Sequence, residues 1–448
     1  MNVHVDVAQS ANQAATPSSS VRATVAPPAP VGIADTGLEP GFLVDLLVKT
    51  VYRMGLERPS EISRAMKLPI GIVTQLVETA QAQRMMETLG QLGASLTAEM
   101  RYALTGKGRE WALEALGQSE YFGPAPVTLE AFAEQLTRQS IRNVTLTRSM
   151  LDRVFCELTL EPKLMEKLGP AANCAASVLL YGPPGNGKST IAEAICTAFG
   201  GEVYFPYALT VDKQVITVFD PTVHVRAGAG EGGEGRSLRR DGGHDQRFVA
   251  CKRPAVITGG ELTLDRLDLK LNTVSRVYEA PMQLKAAGGV LVIDDFGRQR
   301  QSPQELINRL IIPLENGRDY LALETGRKFE IPFDALVVFS TNIAPKKLVD
   351  DAALRRLRYK VLVDKPDRDT FIQIFVRTAR KFGLRLDENV MLFVLIELYG
   401  KTEGAQFAGF HPRFLIDQVK SISAFEGVAP QLRPDFLARA WENLFTSE

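Results

Sequence analysis

Residues 182–190 read GPPGNGKST, and residues 290–297 read VLVIDDFG. The first stretch fits G-x-x-x-x-G-K-[ST] through Gly182, Gly187, Lys188 and Ser189, with an apolar run (SVLLY) before it and an amphipathic one (IAEAI) after it. Glycines at this spacing let backbone N–H groups turn inward around a phosphate. A helix opening at the lysine adds the positive end of its dipole. The candidate loop is therefore Gly182, Pro183, Pro184, Gly185, Asn186, Gly187, Lys188, Ser189 and Thr190. In it Lys188 supplies a point charge to the β- and γ-phosphates of a nucleotide, and Ser189 offers a hydroxyl to Mg²⁺. The second stretch is four apolar residues running into paired carboxylates, the form of a buried strand that delivers acids to a site. Asp294 is the candidate metal residue, directly or through water.

Three later segments extend the set. VVFSTN (337–342) ends an apolar run in Asn342, DDAALRRLRYKV (350–361) carries three arginines, and FHPRFLIDQV (410–419) places Arg413 at the start of a helical pattern. In this order, and followed by a helical C-terminal region, the set resembles the AAA+ ATPases across roughly residues 125–448. The resemblance implies ATP as the nucleotide with Mg²⁺ as its metal, and hydrolysis to ADP and phosphate. It makes Asp295 the residue that orients and polarises the attacking water and Asn342 the polar sensor after the next strand. Arg355 and Arg356, with Arg358 as a third candidate, become fingers reaching a neighbouring subunit's site, and Arg413 a lid arginine that meets the phosphates. Fingers of that kind imply a homo-oligomeric ring, a hexamer in the usual case.

DYLALE and RKFEIP, joined at Thr325-Gly326, read as a β-hairpin before the sensor strand. That arrangement resembles MoxR-type chaperone ATPases and bacterial enhancer-binding activators, although the activators' G-A-F-T-G-A loop signature is absent. Two features depart from the pattern. Asp294 lies 106 residues after Lys188, about twice what a strand and helix need, so a β-rich insertion is expected at about 206–280 around the glycine-rich stretch AGAGEGGEGRSLRRDGGHDQ. Asp295 stands where AAA+ proteins usually carry Glu. Its carboxylate sits back by roughly 1.5 Å, a displacement of the size that costs about 10²-fold in rate. Some hexameric viral helicases of the superclass carry paired aspartates here, so hydrolysis is expected, at a slow rate, with a nucleotide-gated scaffold as the alternative.

The elements that must position these residues follow from periodicity. Residues 1–38 are rich in Ala, Pro, Ser and Thr and read as a disordered tail. Residues 39–118 show three short helices, with Ser60 placed to cap the second, then a two-stranded wing and a helix. This plan resembles a winged-helix domain. Residues 119–365 read as an α/β nucleotide-binding core, a parallel sheet with helices on both faces whose strands are SVLLYG, VYFPYA, GVLVIDD and ALVVFSTN. Residues 366–448 read as a helical lid.

The composition is that of an ordinary globular chain: 45% apolar, 23% charged, with 52 basic and 52 acidic residues. Four scattered cysteines with no C-x-x-C pair suit reduced thiols in the cytoplasm, and no apolar run approaches a membrane span. Residues 40–116 hold nine basic against eight acidic residues, and the third helix has no Lys or Arg before Arg84. DNA is a possible partner that this charge does not favour. The expectation is a ring ATPase that remodels a protein client. The alternative is a DNA-linked ATPase such as a loader, helicase or transposition helper.

Overall fold

A computed structural model of the protein describes residues 25–91, 99–228 and 243–444. Three helices open it: α1 (Pro40–Met54), α2 (Pro59–Met66) and α3 (Ile70–Ala82). Proline at the first turn starts α1 and α2, and Gly55 in left-handed backbone ends α1. Ser60 does not cap α2 but lies inside it. Glu61 reaches back to the Arg58 N–H instead, and the Ser60 hydroxyl donates to Glu99. An antiparallel pair, β1 (Met86–Gln91) and β2 (Met100–Leu104), leads to α4 (Gly106–Gln118), which Thr105 caps through the Gly108 N–H. Apolar residues at helical spacing, among them Leu43, Leu47 and Val51 of α1 and Ile72, Leu76 and Ala80 of α3, close one core. Each fully buried Leu or Ile there stabilises the unit by ~1.5–3 kcal/mol.

Residues 25–38, assigned by composition to a disordered tail, run along the body. Gln135 donates to the Val25 carbonyl and the Asp245 N–H to the Pro27 carbonyl. Proline-rich backbone keeps its carbonyls available for such partners. The remainder of that tail, residues 1–24, lies outside the described residues, as does most of the glycine-rich stretch.

The chain continues through β3 (Val127–Thr128), α5 (Leu129–Arg138), α6 (Arg148–Val154), α7 (Pro162–Asn173), β4 (Ser177–Tyr181) and α8 (Lys188–Ala198). Then come β5 (Glu202–Pro206), β6 (Ala208–Val211), β7 (Gln214–Thr217), β8 (Phe248–Lys252) and β9 (Ala255–Thr258). Next are β10 (Lys270–Asn272), β11 (Val277–Glu279), α9 (Met282–Lys285), β12 (Gly289–Ile293) and α10 (Pro303–Asn316). A hairpin, β13 (Arg318–Ala322) with β14 (Lys328–Pro332), precedes β15 (Ala335–Thr341), α11 (Pro345–Leu348), α12 (Asp351–Arg356) and β16 (Tyr359–Leu362).

Five of these strands make one all-parallel sheet in the order β16-β4-β15-β12-β9. Both faces are covered, which is why the strands read as unbroken apolar runs. Alternation still sorts them. Val178, Leu180, Val290, Val292 and Val338 pack with α6, α7 and α8, whereas Leu179, Leu291, Ile293, Val337 and Phe339 pack with α10 and α12.

Two strand assignments from the sequence change. VYFP (β5) is not in this sheet; it pairs antiparallel with β8. The fifth core strand is AVIT (β9), which the sequence reading put in the insertion. As an edge strand it alternates, with Ile257 half exposed, so it lacks the continuous apolar signature of its neighbours. A second sheet, β10-β11-β7-β6-β3, carries the rest of the insertion and begins with a strand from before the core. It bonds the N-terminal unit through Arg276 Nη1 to the Gly117 carbonyl at 2.7 Å. It bonds the hairpin through Tyr278 Oη, which accepts the Glu324 N–H at 2.9 Å.

Four helices form the C-terminal lid: α13 (Arg368–Lys381), α14 (Glu388–Leu392), α15 (His411–Phe425) and α16 (Pro434–Glu442). A π-helical segment, Phe393–Tyr399, extends α14. No helix among the described residues is long and apolar enough to cross a membrane.

Candidate active site

The carboxyl ends of β4, β12 and β15 lie side by side, so the loops that follow them converge. After β4 the chain turns through Gly182 and Gly185 into α8. A Cβ on Gly182 would stand 2.2 Å from the Val363 carbonyl oxygen, and one on Gly185 would stand 2.2 Å from the Phe410 ring, so both places demand glycine. Lys188 is the first residue of α8 and is buried. Its ammonium donates to the carbonyls of Gly182 at 3.0 Å and Pro183 at 2.8 Å and forms no ion pair among the described residues. Burial pushes the Lys188 ammonium below its ordinary range, and the charges of Asp294 and Asp295 pull it back up. Ser189 and Thr190 are exposed beside it.

The Ser189 hydroxyl donates to Asp294 Oδ2 at 2.7 Å. Asp294 is half-buried, and its N–H is held by the Thr258 carbonyl at the end of β9. Asp295 is exposed and has φ +46°, left-handed backbone that Asp tolerates better than most side chains. This turn sets the Asp295 carboxylate beside Asn342, whose Nδ2 donates to Oδ1 at 3.4 Å, a long contact. Phe296 and Thr341 lock the two strand ends together. The Phe296 N–H donates to the Ser340 carbonyl at 2.7 Å, and the Thr341 hydroxyl donates to the Phe296 carbonyl at 2.6 Å. Lys188, Ser189, Asp294, Asp295 and Asn342 are thus one cluster.

Among the described residues, none of the candidate arginines bonds to this cluster. Arg356 is tied to its own chain, with Nε 2.9 Å from Glu315 and Nη1 3.0 Å from the Ala352 carbonyl. Arg355 is exposed and borders an open hollow with Arg356, Arg358 and Glu315. Arg413 lies in the first turn of α15 with its side chain 77% exposed, and its nearest carboxylate is Asp417 at 3.7 Å.

Two features escaped the sequence reading. A cavity beside the loop is lined by Leu160, Leu164, Asn186, Val363 and the lid residues Thr370 and Ile374, with Glu161, Lys163, Lys167 and Asp364 also on its wall. The lid itself touches the loop, since the Gly409 N–H donates to Asn186 Oδ1 at 2.9 Å and Phe410 covers Gly185. The next residue, His411, is buried and bonded to the Tyr399 hydroxyl at the end of the π-helical segment. Burial drops its imidazole to about 4. No short-range pattern foretells contacts between residues more than 200 positions apart.

A match to a family model agrees with this geometry. Residues 177–357 match the family model described as AAA domain (dynein-related subfamily), and residues 367–443 match a domain of unknown function, DUF8689. Over 253 residues the chain is 24% identical to spastin of Anopheles gambiae, a match spanning 56% of this chain and 23% of that protein. Among solved structures, a K64R mutant of RuvB from Thermotoga maritima is 14% identical, covering 64% of this chain and 70% of its own at a TM-score of 0.37. NtrX from Brucella abortus in complex with ADP is 14% identical, covering 77% and 68% at a TM-score of 0.39. Residues 177–357 carry an AAA domain, and the five-stranded parallel sheet with helices on both faces is the AAA+ P-loop core.

Proposed function

We propose that this chain binds Mg-ATP in the loop of residues 182–190, hydrolyses it to ADP and phosphate, and does so in a ring of copies that remodels a protein partner. The observation that carries the reading is the 2.7 Å contact between Ser189 Oγ and Asp294 Oδ2 beside a buried lysine that has only carbonyl partners. A buried ammonium without a carboxylate is costly unless an anion completes it. The donor set fits Mg²⁺, which keeps several waters and takes one or two protein oxygens. Ser189 and Asp294 would hold it, and when bound it neutralises charge on the phosphates.

The chain's own residues supply the rest. Lys188 and the loop N–H groups bind the phosphates, and the cavity beside Leu164 and Ile374 suits the base. Asp295 takes the proton of a water whose oxygen bonds to the γ-phosphorus. The bond from that phosphorus to the bridging oxygen breaks, and ADP leaves with the electron pair. Asn342 orients Asp295. Arg355, exposed where Arg356 is engaged, is the stronger finger toward a neighbour. The four cysteines are free thiols, as in the cytoplasm.

A protein client is favoured over DNA by the N-terminal unit. Arg53, Arg58 and Arg101 are spent on Glu120, Glu61 and Glu57, Lys49 is buried, and the open face of α3 presents Gly71, Gln75 and Glu78. Arg64, Arg84, Lys107 and Arg109 remain exposed around it, but α3 itself carries no Lys or Arg to displace counterions. Phosphate release from ATP tests the reading: it should require Mg²⁺, stop with a chelator and be indifferent to DNA. Arg355→Ala subunits mixed into wild type should lower the rate more than dilution does. Stimulation by DNA would favour a DNA-linked motor, and strict proportionality to dilution would remove the shared site.

A further inference from the structure

Asp295 leaves β12 in left-handed backbone, and something must hold that turn. The regular ladder with β9 and β15 ends at Ile293, and beyond it backbone bonds fix the ends of the turn: the Asp294 N–H to the Thr258 carbonyl, the Phe296 N–H to the Ser340 carbonyl and the Arg298 N–H to the Asp295 carbonyl. The side chain that gathers the turn's own carbonyls is the amide of Gln299, four residues on from Asp295, in a polar stretch that gives no signal in the sequence. Its Oε1 accepts the Gly297 N–H at 2.8 Å. Its Nε2 faces three carbonyl oxygens: Asp294 at 3.1 Å, Asp295 at 3.3 Å and Gly259 at 3.3 Å. An N–H on one side and carbonyls on the other fix which end of the amide is which. Gly259 follows β9, where Glu261 accepts the Gly259 N–H and the Thr258 hydroxyl, each at 2.9 Å. The half-buried Gln299 therefore ties the turn that carries both acids to an anchored loop of the adjacent strand.

We infer that Gln299 is a positioning residue for hydrolysis: its amide clamps the Asp294-Asp295 turn onto the end of β9 and so aims the Asp295 carboxylate at the attacking water. The inference rests on the hydrolytic reading above. Gln299 touches no reacting atom and acts through Asp295. A carboxylate already held by one 3.4 Å contact to Asn342 has little else to fix it, and a loss of aim near 1 Å costs up to about 10²-fold.

The test is a double-mutant cycle on Mg-ATP turnover with Asp295→Asn. Gln299→Leu keeps the bulk and removes every bond. It should lower kcat about tenfold while KM and the affinity for a fluorescent ATP analogue stay within about twofold. In the Asp295→Asn background the same change should cost nothing further. Gln299→Glu keeps the acceptor for Gly297 but sets a carboxylate against three carbonyls, and should be at least as slow as Gln299→Leu. Circular dichroism melts should match wild type, because the site is a surface turn. Full kcat in Gln299→Leu, or an equal further loss in Asp295→Asn, would overturn the clamp while leaving the hydrolytic reading intact. Absence of turnover in the wild type would overturn both.

Discussion

The carboxyl edge of the core sheet and the inserted sheet both bury charge, and they treat it in opposite ways. In the insertion, Arg247 and Asp245 are 3% and 4% exposed and 2.7 Å apart. The remaining Arg247 donors reach the carbonyls of Thr36 and Pro126 at 3.0 and 3.3 Å. Lys285 likewise meets Asp220 at 2.8 Å and Glu279 at 2.6 Å. These charges are complete within the chain, and they join the N-terminal strap, the linker before β3 and the insertion into one body. At the core edge Lys188 has only carbonyls, the Asp295 carboxylate has one long contact and Ser189 is open to solvent. Charge that is fully paired holds structure; charge left short of partners is held for a ligand.

That contrast can be broken by exchange of roles. Lys188→Ala should cost ATP affinity about 10³-fold, close to 4 kcal/mol, with thermal stability unchanged or slightly raised, as removal of an uncompensated buried charge requires. A large fall in Tm would mean that Lys188 is a structural cation. Arg247→Met should do the reverse. Leaving Asp245 buried and alone costs about 3 kcal/mol or more, visible in denaturant unfolding, while nucleotide affinity stays within about twofold. A joint Asp245→Asn, Arg247→Met change should recover part of that loss. If Arg247→Met weakens nucleotide binding instead, the insertion is part of the site.

The smallest of these effects lies in the lid. His411 is held near pKa 4 when folded, against 6.5 ordinarily. Between those values the unfolded chain binds more protons than the folded one. Stability is therefore whole above pH 6.5 and is lost as pH falls toward 4. The loss should reach about 1 kcal/mol by pH 5.5, and His411→Phe should flatten the profile in that window. An unchanged profile would show that burial does not hold the His411 imidazole neutral in the folded lid.

How much of this the sequence discloses depends on the range of the interaction. The loop at Gly182–Thr190 is legible because its chemistry is local: glycines, a lysine and a hydroxyl at fixed spacing between a strand and a helix. Asp294 is legible because a buried strand ran into it. β9 is not, since an edge strand in the core and a strand in an insertion both alternate and only pairing tells them apart. β5 misleads for the converse reason: Val203 and Phe205 are buried, but against the insertion's core and not between two helical layers. Ser60 is a good capping residue, but α2 already begins at Pro59, which puts Ser60 inside the first turn and leaves Glu61 to accept the Arg58 N–H. Gln299, Asn186 with Gly409, and the cavity beside Ile374 depend on contacts between distant segments, for which no periodicity exists.

The central claim is that one aspartate, Asp295, separates binding from turnover at this edge. The direct measurement compares wild type and Asp295→Asn for affinity toward a fluorescent ATP analogue and for phosphate release under saturating Mg-ATP. The two proteins should bind within about threefold of each other, and the variant should release phosphate at least about 10²-fold more slowly, the usual scale for loss of a general base. Equal turnover in the two would contradict the claim.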